Sequence, residues 1–225
     1  MKKVSKSFGL LAAVCTLVVF LVGCGAPSFD AAMYVKGTLD ATYLGEASKG
    51  YLELTDSTSE EIKATYHESM EIEADYFLRY FEIDEDYIAS SMVSEVIEMY
   101  QQIYARSKYE IGDVTKSGDN YLVSVTIHPL DIIEKVIEND IDDIINDFYD
   151  RAEAGEFDDK TDEEIESFWA RKVIDAVKAR VSSIGYLSAE TISVQVVVES
   201  ETRNEVLYAV SDNDLMRIDS LIIQY

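Results

Sequence analysis

The sequence predicts an α+β fold, with two antiparallel β-hairpins forming a small sheet packed against five or six helices, after an N-terminal signal helix. Three observations point to it. Apolar residues recur at helical spacing over most of the chain. That period switches to two across residues 109–127 and again across 192–210. Ser or Thr three residues before Glu, a helix-start signal, precedes two of the longest helical stretches. The 48% apolar fraction and 15 tyrosines belong to a chain that buries a core.

The N-terminus is a segment of its own. Lys2, Lys3 and Lys6 are basic, and Phe8 to Val22 is an apolar run too short for a comfortable bilayer span. The run ends Leu21-Val22-Gly23-Cys24. A small residue directly before cysteine, with Leu three before it, resembles a bacterial lipobox. In proteins with that motif the signal is cut before the cysteine, here between Gly23 and Cys24. The sulfur then takes a diacylglyceryl group, and palmitate-type acyl chains hold the protein to the bilayer. An ordinary signal peptide or an uncleaved signal-anchor helix would share the basic start and apolar run, leaving Cys24 incidental.

The expected organisation is therefore a signal peptide over 1–23, a short tether over 24–28, and a single α+β domain over 29–225. The tether is Gly25-Ala26-Pro27-Ser28 after the cysteine. Four extended residues reach about 14 Å, so the folded part sits close to the bilayer.

Ser28 is positioned to cap a first helix carrying Ala32, Val35, Leu39 and Tyr43 inward, with Gly45 at its end. Two overlapping capping boxes, Ser57 with Glu60 and Thr58 with Glu61, start a second helix over about 59–81. Asp84-Glu85-Asp86 breaks the chain, and a third helix with Val96, Tyr100, Ile103 and Tyr104 inward runs to about Ser107. Tyr109 to Ile127 alternates around a turn at Lys116-Ser117-Gly118-Asp119-Asn120 and forms the first hairpin. Pro129 suits the first turn of a fourth helix, whose stripe is Ile133, Ile137, Ile141, Ile144 and Phe148. Thr161 and Glu164 box the start of a fifth helix ending before Gly185. Ile192 to Val210 forms the second hairpin, turning at Glu201 to Asn204, and Ser211 and Asp214 start a terminal helix. The repeated order of helices, hairpin and helix suggests an internal duplication, 56–130 and 131–225, although residue identity between the halves is low.

The formal charge is −25, and loss of the three signal lysines takes it to −28. A basic surface is what nucleic-acid binding requires, so no nucleic-acid partner is expected. Adsorption onto anionic lipid is disfavoured for the same reason. Cys15 leaves with the signal and Cys24 carries lipid, so the mature chain has no cysteine pair for a disulfide.

Signatures of catalysis and cofactors are missing. His67-Glu68-Ser69-Met70-Glu71 lacks the second histidine of a zinc helix, and His128 before Pro129 reads as a turn residue. No phosphate loop, dinucleotide fingerprint or nucleophile elbow occurs. With 44 acids, a catalytic carboxylate pair cannot be singled out. The acidic runs from Asp131 to Glu166 lack the glycine and spacing of a calcium loop and read as a solvated face. No catalytic residue, cofactor or metal is assigned. Tyr76, Tyr80, Tyr100 and Tyr104 belong to an aromatic concentration that fits either a helix–helix core or a peptide or glycan patch.

The run Phe29-Asp30-Ala31, then Tyr34 through Gly45, then Leu54-Thr55-Asp56-Ser57-Thr58 resembles a family of small acidic lipoproteins of Gram-positive, clostridial-type gut bacteria. The resemblance is strongest over 21–62. It implies the Cys24 anchor and an extracytoplasmic α+β domain, and it implies no catalytic residues. Sequence alone thus points to a lipid-anchored protein on the outer face of the cell membrane, a non-enzymatic binding or envelope-scaffold module. Its partners would be the bilayer, through the Cys24 acyl chains, and an envelope protein, peptide or glycan. A carboxylate-dependent enzyme acting on cell-envelope polymers is the alternative.

Overall fold

The computed structural model describes residues 19–22, 29–201 and 205–225. They divide into two compact units. Of the described residues, unit 1 takes in those up to 69, 107–128 and those within 188–222; unit 2 takes in 70–106, 129–187 and 223–225. Neither unit coincides with a half of the 56–130/131–225 repeat.

Unit 1 is organised by one antiparallel sheet of β1 (Val19–Val22), β2 (Lys108–Ser117), β3 (Asn120–His128), β4 (Glu190–Glu201) and β5 (Glu205–Val210), in the order β1-β5-β4-β3-β2. The β2–β5 strands are the two expected hairpins. Ser117 pairs with Asn120, leaving Gly118 and Asp119 at the corner. Gly118 has φ +64, a left-handed value that a two-residue hairpin turn demands and glycine accepts without strain. Alternation sets the faces. Val123, Val125 and Ile127 on β3, and Ile192, Val194 and Val196 on β4, are all buried. Between them, Thr126 and Thr191 share a 2.8 Å hydroxyl contact on the solvent face. Each buried aliphatic chain contributes roughly 1.5–3 kcal/mol.

Helices α1 (Ala31–Leu44) and α8 (Asp212–Ile222) lie against this sheet. Tyr34, Val35 and Leu39 from α1, and Leu215, Ile218 and Ile222 from α8, are buried. The cap of α1 is Asp30, whose Oδ1 accepts from the Met33 amide at 3.0 Å; Ser28, the expected cap, lies outside the described residues. A short helix α2 (Lys49–Thr55), capped by Ser48, was not expected. Its Tyr51 ring lies on Gly37 of α1, where a Cβ would fall 2.0 Å from the ring.

The N-terminal segment differs from the expected helix over its described part. Val19–Val22 is extended and pairs with Glu205–Tyr208 on β5. An edge strand presents a row of open amides and carbonyls, which an extended apolar segment completes. Residues 1–18 and 23–28 lie outside the described residues.

Unit 2 is helical. It holds the second half of α3 (Ser59–Tyr80), a 3-10 turn (Glu85–Tyr87), α4 (Ser90–Tyr104), α5 (Ile132–Asn139), α6 (Ile141–Glu153) and α7 (Asp162–Val181). Phe77 and Leu78 on α3, Met99 and Ile103 on α4, Val136 on α5, and Val173 and Val177 on α7 are buried. Glu95 on α4 bridges to Arg171 at 2.7 Å and to Lys178, both on α7. The described residues hold eight α-helices instead of five or six. One reason is α2; the other is a break in the expected fourth helix. Pro129 does not open that helix, because its carbonyl accepts from the Leu187 amide at 2.9 Å and Leu130 bridges extended chain. The helix begins at Ile132 and breaks at Asp140, whose carboxylate is gripped by Arg180 through two bonds of 2.8 and 2.7 Å. The expected capping boxes at Thr58–Glu61 and Thr161–Glu164 both form.

Candidate functional site

Gly23 and Cys24, the expected cleavage and lipid positions, lie outside the described residues. The four expected patch tyrosines do not share a surface. Tyr100 and Tyr104 are buried, because they stand four residues apart on the inward stripe of α4 with Val96 and Ile103. The Tyr100 hydroxyl bonds to that of Tyr225. Burial, and then the charge of Glu73, pushes the Tyr100 pKa well above its ordinary value. Tyr76 and Tyr80 each pack on the Tyr225 ring, at 4.7 and 4.8 Å. Of the four, Tyr80 lines an open hollow.

That hollow is a groove of about 450 Å³ in unit 2. One wall is the end of α3. There the Ile83 amide bonds to the Leu78 carbonyl at 2.8 Å, closing a helix terminus of the kind usually made by glycine. Here Glu82 takes the left-handed position, with φ 55. Tyr80, Phe81 and Glu82 supply this wall, and Ile137 of α5 adds to the lining. Ile141, Ile145, Phe148 and Tyr149 come from α6, and Trp169 comes from α7. Trp169 is fixed by its indole N–H, which donates to the Phe81 carbonyl at 2.9 Å, and by edge-on contact with Phe148 at 5.8 Å. Tyr149 is 63% exposed and Ile137 39%. No residue of α6 is buried, although isoleucine and phenylalanine recur along it at helical spacing.

A second hollow, of about 500 Å³, lies between the end of α6 and the start of α7. Four of the five charged residues that line it are matched within the protein. Arg151 reaches Asp147 and Glu156, both at 2.9 Å, and Lys160 reaches Glu164 at 2.7 Å. The hydrogen bond from Thr161 holds Glu163 below the usual carboxylate range, and that from Lys160 does the same for Glu164. A general acid at neutral pH needs the opposite shift. Among the described residues, no group of three or more His, Cys, Asp or Glu is placed to hold a metal ion, and no helix is long and apolar enough to cross a membrane.

The groove was only partly legible in sequence. Tyr80 came from the aromatic concentration. Tyr149 and Trp169 lie far along the chain, and a period of 3.6 marks them only as helical.

The α+β fold and an apolar hollow are properties of a class, and comparison with known proteins adds one particular. No family model matches the chain, and no curated protein matches it in sequence. In fold it is similar to YcdA, a candidate lipoprotein of Bacillus subtilis, with a TM-score of 0.57 and 15% identity over 95% of this chain. The chain spans 58% of that protein's length. At this identity the likeness is one of fold. It does not reach the narrower clostridial-type family.

Proposed function

We propose that this chain is a lipoprotein held at the extracytoplasmic face of the cell membrane through Cys24, and that its folded part is a non-enzymatic binding module. The groove of unit 2 supports the binding role. Isolated apolar side chains on a surface are ordinary, but a concave group of aromatic and isoleucine residues marks a ligand or protein contact. The lipobox-like Leu21-Val22-Gly23-Cys24 supports the anchor. Two acyl chains, at about 0.8 kcal/mol per buried CH₂, hold a protein stably without help from a basic surface.

The anchor is tested by Cys24→Ser in the natural host. The variant is expected to keep the β2–β5 sheet and the helices of the native protein, to lack lipid and to escape cleavage before residue 24. Membrane fractionation and the intact mass of the N-terminal peptide read this directly. An unmodified Cys24 in the mature native protein would refute the lipoprotein reading.

A further inference from the structure

We propose that the groove of unit 2 receives a cationic amphipathic peptide segment, its apolar side chains against Trp169 and Tyr149 and a Lys or Arg at Glu82. The inference rests on the binding-module reading and names the partner's chemistry.

Three observations carry it. The first is α6. An amphipathic helix ordinarily buries its apolar stripe, yet no residue of α6 is buried. Ile141, Ile144, Ile145 and Phe148 are half-buried, so the cover that would complete their burial is apolar. The second is Glu82. It holds φ 55, a conformation in which a side chain is strained and glycine is the usual choice at a helix end. Strain retained beside a hollow points to a use for the side chain. Glu82 is exposed at the groove and forms no ion pair among the described residues.

The third is charge. Unit 2 holds 26 Asp and Glu against nine Lys and Arg, a formal charge of −17. Eight of those nine bases are already in ion pairs, Arg106 being the other. None of those eight pairs involves Glu82, which is left open to a cation from a partner. The same charge selects among occupants. A second copy of this chain would bring another −17 to the contact, and an anionic lipid surface would be repelled. A neutral glycan would find the Tyr80 and Tyr149 hydroxyls, but the Trp169 N–H is spent on Phe81 and an uncharged sugar gains nothing from the negative field. A peptide helix with apolar anchors and flanking Lys or Arg meets both the wall and the field.

Trp169 is the chain's single tryptophan, so its emission reports the groove. The full chain is titrated with three probes: a synthetic Leu/Lys amphipathic peptide, the same pattern with Glu for Lys, and a soluble wall-glycan fragment. The Lys peptide is expected to shift Trp169 emission to the blue and to weaken as salt rises; the other two are expected to leave it unchanged. Glu82→Gln is expected to weaken the Lys peptide about fivefold. Glu82→Gly removes the carboxylate while easing the backbone. It is expected to weaken the peptide as much and to melt no lower than the native protein, which separates lost binding from lost folding. Equal binding of the Glu peptide, or a shift with the glycan alone, would overturn the cationic occupant and leave a binding module standing. Silence toward every probe would overturn both the occupant and the groove as a binding site. The anchor is read separately, by the N-terminal mass.

Discussion

Replacing Asp219 by Asn is expected to raise stability at neutral pH and to flatten its dependence on pH. Asp219 stands on α8 in unit 1. The Tyr43 hydroxyl on α1 bonds to its carboxylate, while its Oδ1 is enclosed with no hydrogen-bond partner. Part of the residue meets solvent, but that oxygen does not. Burial pushes the carboxyl from an ordinary 3.8 up to about 7, against a smaller lowering by the Tyr43 bond. The folded state therefore holds this proton more tightly than the unfolded chain does. Below the unfolded value the side chain is neutral in both states and carries no penalty. From about pH 4 to pH 7 the unfolded chain ionises first, and stability falls. Above the folded value the loss is complete, on the order of 4 kcal/mol if the whole shift is realised.

Asn has no charge to desolvate, but it adds an amide that needs partners. A net gain of about 1–3 kcal/mol at pH 8 is expected. Urea unfolding of both proteins between pH 4 and pH 8.5, at constant ionic strength, measures it. Acids distant from Asp219 titrate alike in the two proteins, so the difference curve reports Asp219 together with the groups beside it. That curve is expected to start about 1–3 kcal/mol below zero, the cost of the added amide, and to climb by up to about 4 kcal/mol through pH 4–7. A constant offset across the range would refute the reasoning, since it would mean that Asp219 ionises without penalty.

Two other outcomes test the packing. Gly37→Ala places a methyl 2.0 Å from the buried Tyr51 ring; overpacking of about 1–3 kcal/mol outweighs a helix-propensity gain of about 1 kcal/mol, so Tm is expected to fall in a calorimetric scan. Glu95→Gln is expected to lose a fraction of 1 kcal/mol at pH 7 in low salt. Bonds from Lys178 and then Arg171 hold the Glu95 carboxyl below its ordinary 4.5. Its contribution is therefore present above that value and lost as pH falls through the lower folded one, and chemical denaturation at pH 7 and pH 3 shows the difference.

Much of the fold was legible because local rules and tertiary demands agree. The Thr161–Glu164 box, the Gly118 corner and the alternation through Val123, Val125 and Ile127 each have one reading. Misreadings came where a distant residue decides. Asp140, where a helix breaks, is held from α7 by Arg180. Pro129 stays extended because Leu187 takes its carbonyl. Tyr100 and Tyr104 resemble patch residues in composition, but the stripe they share with Val96 and Ile103 turns them inward. Nothing local distinguishes Glu82 from other surface acids, since its left-handed backbone is a property of how α3 ends. The separation of the chain into two units was equally hidden, because each is assembled from three stretches.

The pairing of β3 with β4 joins the two hairpins of unit 1, with Tyr121 opposite Val196, and the helices of 129–187 lie between them in sequence. Closing so long a loop carries an entropy penalty that grows slowly with length, so stability tolerates the insertion. Speed tolerates it less. Contacts of large sequence separation form late, and the first hairpin must wait with the bare edge of β3 open until β4 has emerged. Such an edge is a template for pairing with another chain. The helical insertion thus sets the interval during which a newly made molecule is most prone to aggregate, and its own folding rate governs how soon that interval ends.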